Sequence, residues 1–264
     1  MNRTRPTVAD ILALRGKRQL TMLYVDKLEE AEAAAEAGID LLSIPGPVWT
    51  PAMRQAAGDC FVQVGYGWAE HLSTFEDYLR AAHQAIRIGG DSFYCASSLE
   101  VVHKLAEDGV PVVGHVGLIP SKRTWTGGFR AVGKTAESAL KVYRQVKDLE
   151  AAGAFGVEIE VVPPEVTAEI TRRTSLLMIS MGAGTGGHAQ YLFAEDVLGY
   201  TPGHTPRHAK VYRDFKAEMA RLQRERVTAF TEFRKDVASG AYPQPQHLVP
   251  IAADELEAFR KALD

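Results

Sequence analysis

The sequence predicts an α/β protein, a (β/α)8 TIM barrel with a C-terminal helical extension, and three observations carry that prediction. Short apolar runs recur along the 264 residues, and each is followed by a stretch with helical spacing of Ala, Leu and charged residues. No G-x-G-x-x-G follows the first run, which a dinucleotide-binding doubly wound sheet would need.

The elements follow in order. "QLTMLYV" (19–25) reads as a strand and leads into the helical "KLEEAEAAAEAG" (27–38), whose closing glycine suits a helix C-terminus. "DLLSIP" (40–45) and "CFVQVGY" (60–66) are the next two strands, the second leading to a helix near 74–88 that ends at Gly89-Gly90. "SFYCAS" (92–97) precedes a helix near 98–108, and "VPVVGHVG" (110–117) precedes the long loop "LIPSKRTWTGGFRAVGKT" and a helix over about 136–152. A loop of that length in a compact fold is often functional. "GVEIEVV" (156–162), a helix near 165–173 and "SLLMISMG" (175–182) follow, with a weaker eighth strand in the apolar stretch near 197–200. A long charged helix and a tail containing "SGAYPQPQHLVP" occupy about 208–264. No low-complexity linker interrupts the chain, so 1–264 reads as one domain.

Composition narrows the classes of function. Hydrophobic residues make up 46% and charged residues 24%, enough apolar mass for a large core. Thirty basic against thirty-three acidic side chains leave a formal charge of −3, so no overall field attracts nucleic acid or an anionic membrane. Cys60 and Cys95 are too few for a disulfide framework and lack C-x-x-C spacing, as expected of buried thiols in a reducing compartment. No run is long enough to span a bilayer, and the cytoplasm is the expected location.

In such a barrel the active site lies at the C-terminal ends of the strands, where alternate residues face the interior. Glu158 and Glu160 lie two apart in "VEIEVV" and share a face, opposite Val157, Ile159 and Val161. Two carboxyl groups at the barrel mouth repel, which raises at least one pKa and suits a general base, a general acid or a metal ligand. Pairing with an interior Lys or Arg is the structural alternative, although an acid in a buried strand is costly without a purpose. His115 closes "VPVVGH", where it can donate a hydrogen bond, move a proton, or simply be a satisfied core residue. The other histidines, at 71, 83, 103, 188, 204, 208 and 247, show no H-E-x-x-H spacing and read mostly as surface residues. "GAGTGGH", beginning with Gly182, Ala183 and Gly184, follows the seventh strand and can offer backbone N–H groups to a carboxylate or phosphate.

"VPVVGHVGLIPSKRTWTGGFRAVGKTAESA", "DLEAAGAFGVEIEVVPPEVTAEIT", "ISMGAG", "LGYTPGHTPRHAKVY" and "SGAYPQPQH" together resemble the ketopantoate hydroxymethyltransferase family of the phosphoenolpyruvate/pyruvate barrel superfamily. The resemblance implies transfer of a one-carbon unit from methylene-tetrahydrofolate to 2-oxoisovalerate through a metal-bound enolate. It places Glu160 at the general base and His115 at a substrate-contacting histidine. It also puts the family's two magnesium-binding Asp residues on Pro45, in "SIPGP", and Gly65, in "VQVGYGW", and its strand-four Lys and Glu on Tyr94 and Ala96. Neither proline nor glycine ligates through a side chain, so the usual magnesium site is expected to be absent and the enzyme to be metal-independent or differently metallated.

The expectation is therefore an enzyme that forms or breaks a C–C bond beside the carbonyl of a small 2-oxo acid, with Glu160 as base and His115 and Glu158 assisting. Tyr24, Pro45, Gly46, Gly65, Tyr94, Lys122, Arg123 and Gly182 to Gly184 are expected around the substrate, with Lys122 or Arg123 as a cationic substitute for the metal. A lyase or hydrolase acting on another carboxylate, and a non-catalytic binding or scaffold barrel, are the alternatives. The partners expected are a small carboxylate and further copies of the chain.

Overall fold

The computed structural model describes residues 5–67 and 72–263. It begins with helix α1 (Val8–Ala13), strand β1 (Leu20–Tyr24), α2 (Leu28–Glu36), β2 (Leu41–Pro45), α3 (Pro51–Ala56), β3 (Phe61–Gly65), α4 (Phe75–Ile88) and β4 (Ser92–Tyr94). Then come α5 (Leu99–Glu107), β5 (Val112–Gly117), α6 (Arg123–Thr126), α7 (Ala136–Ala151), β6 (Gly156–Glu160), α8 (Pro164–Thr171), β7 (Leu177–Met181), β8 (Ala189–Phe193) and α9 (Ala194–Leu198). The eight strands are parallel and close in sequence order, β8 pairing back onto β1. This is the (β/α)8 barrel that the alternating pattern predicts.

Period-two alternation divides each strand between two cores. Val62, Val64, Phe93, Val157, Ile159 and Met178 face the helix layer, where they meet Ala82 and Ala85 of α4 and Val142 and Val146 of α7. Leu20, Met22, Leu41, Phe61, Val113, Leu177, Ile179 and Tyr191 fill the barrel itself. Ile11 of α1 belongs to this interior cluster too, although the charged N-terminal stretch gave no sign of a helix. A capping box between Thr7 and Asp10 starts that helix.

The eighth strand differs from the expectation. It is Ala189–Phe193, and the stretch near 197–200 is instead the end of α9 with a left-handed turn at Gly199. Only seven residues, 182–188, join β7 to β8, with no helix between them, so the alternation that would mark the strand is hidden behind the glycine run. His188 is likewise no surface residue: it is half-buried, and its Nδ1 accepts a hydrogen bond from the Met178 amide at 2.9 Å. His71 lies outside the described residues.

The chain falls into two compact units, one up to Arg213 and one from Asp214 onward. The second contains α10 (Phe215–Ser239) and α11 (Ala253–Lys261), so the long helix begins later than 208. Asp214 caps α10 by accepting from the Ala217 amide, and Phe233 packs edge-on against Tyr242. Among the described residues no helix is long and apolar enough to cross a membrane.

Candidate active site

A cluster of buried polar side chains lies inside the barrel on β5 and β6, toward their C-terminal ends. Val157 and Ile159 of β6 point outward into the helix layer, so Glu158 and Glu160 must point inward; they are 4% and 7% exposed. Parallel register sets His115 of β5 beside Glu158 and Gly117 beside Glu160.

His115 is the centre of the cluster. Its Nε2 lies 3.1 Å from Glu160 Oε2 and 2.9 Å from the Leu118 carbonyl oxygen. Both are acceptors, so this nitrogen carries a hydrogen. Its Nδ1 lies 2.8 Å from the Tyr94 hydroxyl and 3.5 Å from Glu158 Oε2. From across the barrel, Gln63 Nε2 of β3 donates to Glu158 Oε1 at 2.7 Å.

Electrostatics follows from this packing. Burial pushes the Glu158 carboxyl up to about 7, although the His115 charge and the Gln63 hydrogen bond pull against it. For His115 burial alone would lower the pKa, but the hydrogen bond to Glu160 and the charge of Glu158 outweigh it and raise it. The Tyr94 and Tyr191 hydroxyls are held well above the usual range, by burial first and by Glu158 second, so both stay protonated.

The backbone beyond β6 is strained. Val161 has φ +50°, a left-handed conformation that β-branched residues rarely adopt and that costs on the order of 1–3 kcal/mol. Two hydrogen bonds hold it there: Val161 N–H donates to the Met181 carbonyl at 2.8 Å, and its own carbonyl accepts from Val132 N–H at 3.1 Å. The second ties the end of the long loop to the residue after Glu160.

Of the residues expected at the site, Glu158, Glu160, His115 and Tyr94 come together. Tyr24 stacks on Phe193 at 4.6 Å at the C-terminal ends of β1 and β8. Pro45, Gly65 and Tyr94 are successive register partners at the C-terminal ends of β2, β3 and β4. Gly46 lies beneath the Tyr66 ring, which leaves no room for a side chain there. Lys122 is exposed on the long loop, while Arg123 donates to the Pro120 carbonyl and lies over Phe129. Gly182, Ala183 and Gly184 form the crossing from β7 to β8, with Ala183 buried in the outer core and the Gly184 carbonyl accepting from Gln190. Sequence reasoning passed over Gln63 and Ser43, with Ser92 and Tyr191, which complete the polar layer. A lone polar residue in the middle of "FVQVG" or "LLSIP" was the available signal.

The residues present do not fit the magnesium site that the family resemblance implies. Pro45 and Gly65 offer no side-chain oxygen, and a Cβ at Gly65 would fall 2.8 Å from Tyr94 Cβ, so the tyrosine already occupies that volume. Among the described residues no group of three or more His, Cys, Asp or Glu is arranged to hold a metal ion.

A closed parallel barrel with an imidazole between two buried carboxyl groups near the C-terminal ends of its strands defines the class: a (β/α)8 barrel with titratable side chains at the end where such barrels carry their active sites. Residues 67–245 match the family model described as ketopantoate hydroxymethyltransferase, and the chain belongs to that family. The match begins just past β3, leaving Pro45 and Gly65 outside it. The chain is 29% identical to the 3-methyl-2-oxobutanoate hydroxymethyltransferase of Thermotoga neapolitana, over 91% of this chain and 95% of that one. It is 38% identical to the protein of that name from Emericella nidulans over 62% of this chain, and that match spans only 45% of the fungal protein. A solved phosphoenolpyruvate phosphomutase from Streptomyces platensis subsp. rosaceus shares the fold, with TM-score 0.52 and 12% identity over 97% of this chain and 98% of that one.

Proposed function

We propose that this protein forms a carbon–carbon bond beside the carbonyl of a small 2-oxo acid, through an enolate generated by Glu160. Hydroxymethyl transfer to 3-methyl-2-oxobutanoate (2-oxoisovalerate) is the nearest version of that reaction. The observation that carries it is the placement of Glu160: a buried carboxyl at the C-terminal end of β6, 3.1 Å from the ring nitrogen of His115. Such a group reaches a proton on the substrate without competition from bulk water. His115 steadies Glu160 through its Nε2 hydrogen, and Glu158, pushed up to about 7, holds or releases a second proton nearby. The proton beside the ketone passes to Glu160, the C–H electron pair becomes the enolate C=C bond and the carbonyl π pair moves onto oxygen. Water releases the one-carbon unit of methylene-tetrahydrofolate as formaldehyde, leaving tetrahydrofolate, and the enolate carbon attacks that aldehyde as the ketone re-forms and the aldehyde oxygen takes a proton to become the hydroxyl.

The test is mass-spectrometric detection of hydroxymethylated product from 3-methyl-2-oxobutanoate and methylene-tetrahydrofolate, with 2-oxobutanoate and pyruvate as alternative acceptors. Product from any of the three supports the reading. No product, together with no proton exchange at the carbon beside the ketone, overturns it in favour of a binding protein.

A further inference from the structure

We propose that the hydroxyl of Tyr94 is the electrophile of this site: it donates a hydrogen bond to the carbonyl oxygen of the bound 2-oxo acid and, backed by His115, stands in for a divalent cation. The inference rests on the reading of Glu160 as base and adds the group that receives the negative charge.

The geometry carries it. Tyr94 ends β4, near enough to Glu158 and Glu160 for both charges to act on its hydroxyl, and its ring fills the space over the bare α-carbon of Gly65. An added Cβ at position 65 would lie 2.8 Å from Tyr94 Cβ and 3.1 Å from its ring, so a ligating side chain at 65 and Tyr94 in this pose exclude each other. The tyrosine is part-buried, its ring edge-on to His115 and its hydroxyl 2.8 Å from the Nδ1 of that imidazole.

The protonation state of His115 decides where the phenolic hydrogen points. As a neutral imidazole with its hydrogen on Nε2, the ring accepts the Tyr94 hydrogen at Nδ1 and consumes it. As an imidazolium between Glu158 and Glu160, Nδ1 donates to the Tyr94 oxygen, and the phenolic hydrogen turns outward to the substrate. During enolisation Glu160 takes the proton from carbon, the C–H pair becomes the C=C bond, and the carbonyl π pair moves onto oxygen, where the Tyr94 O–H meets it. Tyr94 keeps its proton throughout, and return of the proton or deuteron from Glu160 reverses the step. One well-placed donor to a developing oxyanion contributes about 10²–10³ in kcat.

Two measurements test it with EDTA present. The first is the ¹³C resonance of [2-¹³C]2-oxoisovalerate bound to wild type and to Tyr94→Phe; the hydrogen bond moves it downfield in wild type, and the variant returns it toward the free value. The second is solvent deuterium exchange at carbon 3, which falls by about 10²–10³ in the variant at an unchanged thermal midpoint. A free-like carbonyl resonance in wild type, an unchanged one in Tyr94→Phe, or wild-type exchange that EDTA abolishes and Mg²⁺ restores overturns the proposal. The last arm needs no variant, so a misfolded Tyr94→Phe does not shield it. A shifted resonance without exchange leaves Tyr94 standing and removes Glu160 as base; failure of every 2-oxo acid to bind removes both.

Discussion

Gln63 reaches across the barrel from β3 and places its side-chain N–H 2.7 Å from the carboxyl of Glu158 on β6. The groups facing Glu158 come from several strands: Gln63 from β3, Tyr94 from β4, His115 from β5, Glu160 from β6 itself and Tyr191 from β8. The hydrogen bond favours the charged carboxylate, against the burial that disfavours it. Gln63→Met removes the donor, so the Glu158 titration moves above its present value of about 7. An NMR titration of the Glu158 side-chain carbon measures the shift, and a downward or absent movement contradicts the assignment.

Glu158 also sets a pH dependence of stability. Its folded pKa, about 7, lies above its ordinary 4.5, so its contribution is fully present below 4.5 and is lost as pH rises through 7. The loss is on the order of 3 kcal/mol. The raised pKa of His115 acts with the same sign, favouring the folded state on the acid side. Urea unfolding at pH 5 and pH 8 is expected to show wild type losing stability relative to Glu158→Gln across that window. Parallel pH profiles for the two proteins would contradict it.

Gly65→Asp brings a carboxylate back to the position the family resemblance assigns to a metal ligand, yet it meets the Tyr94 side chain. The overpacking costs about 1–3 kcal/mol and displaces Tyr94 from His115. Thermal unfolding of the variant drops accordingly, and Mg²⁺ does not restore it. A variant as stable as wild type that gains Mg²⁺ affinity shows that Tyr94 yields the space freely.

Val161→Gly exchanges strain on the order of 1–3 kcal/mol for the chain entropy of glycine, about 1 kcal/mol. Its stability in urea is expected to equal or exceed that of wild type, while positioning of the neighbouring Glu160 loosens and kcat falls. A large loss of stability would mean that the left-handed backbone there is unstrained.

How much of this was legible in the sequence depended on distance along the chain. The alternation in "VEIEVV" was enough to turn Glu158 and Glu160 inward, because strand periodicity is a local property. β8 was misplaced because the glycine run before it leaves room for no helix, and a missing helix removes the punctuation by which strands are counted. Gln63 was passed over because one amide in an apolar strand looks neutral until its partner, ninety-five residues away, is brought across the barrel. The contact between Tyr94 and His115 is diagonal, since Tyr94 registers with Val113, and no spacing rule encodes it. That Pro45 and Gly65 stand where the family resemblance puts metal ligands was legible in the sequence, whereas the tyrosine that fills the space over Gly65 was visible only in three dimensions.

The most direct test of Glu160 as the base is deuterium incorporation at carbon 3 of 2-oxoisovalerate in D₂O, comparing wild type with Glu160→Gln. The expected result is exchange by wild type and a fall of about 10²–10⁴ in the variant at unchanged fold. Equal exchange by the two proteins would contradict it.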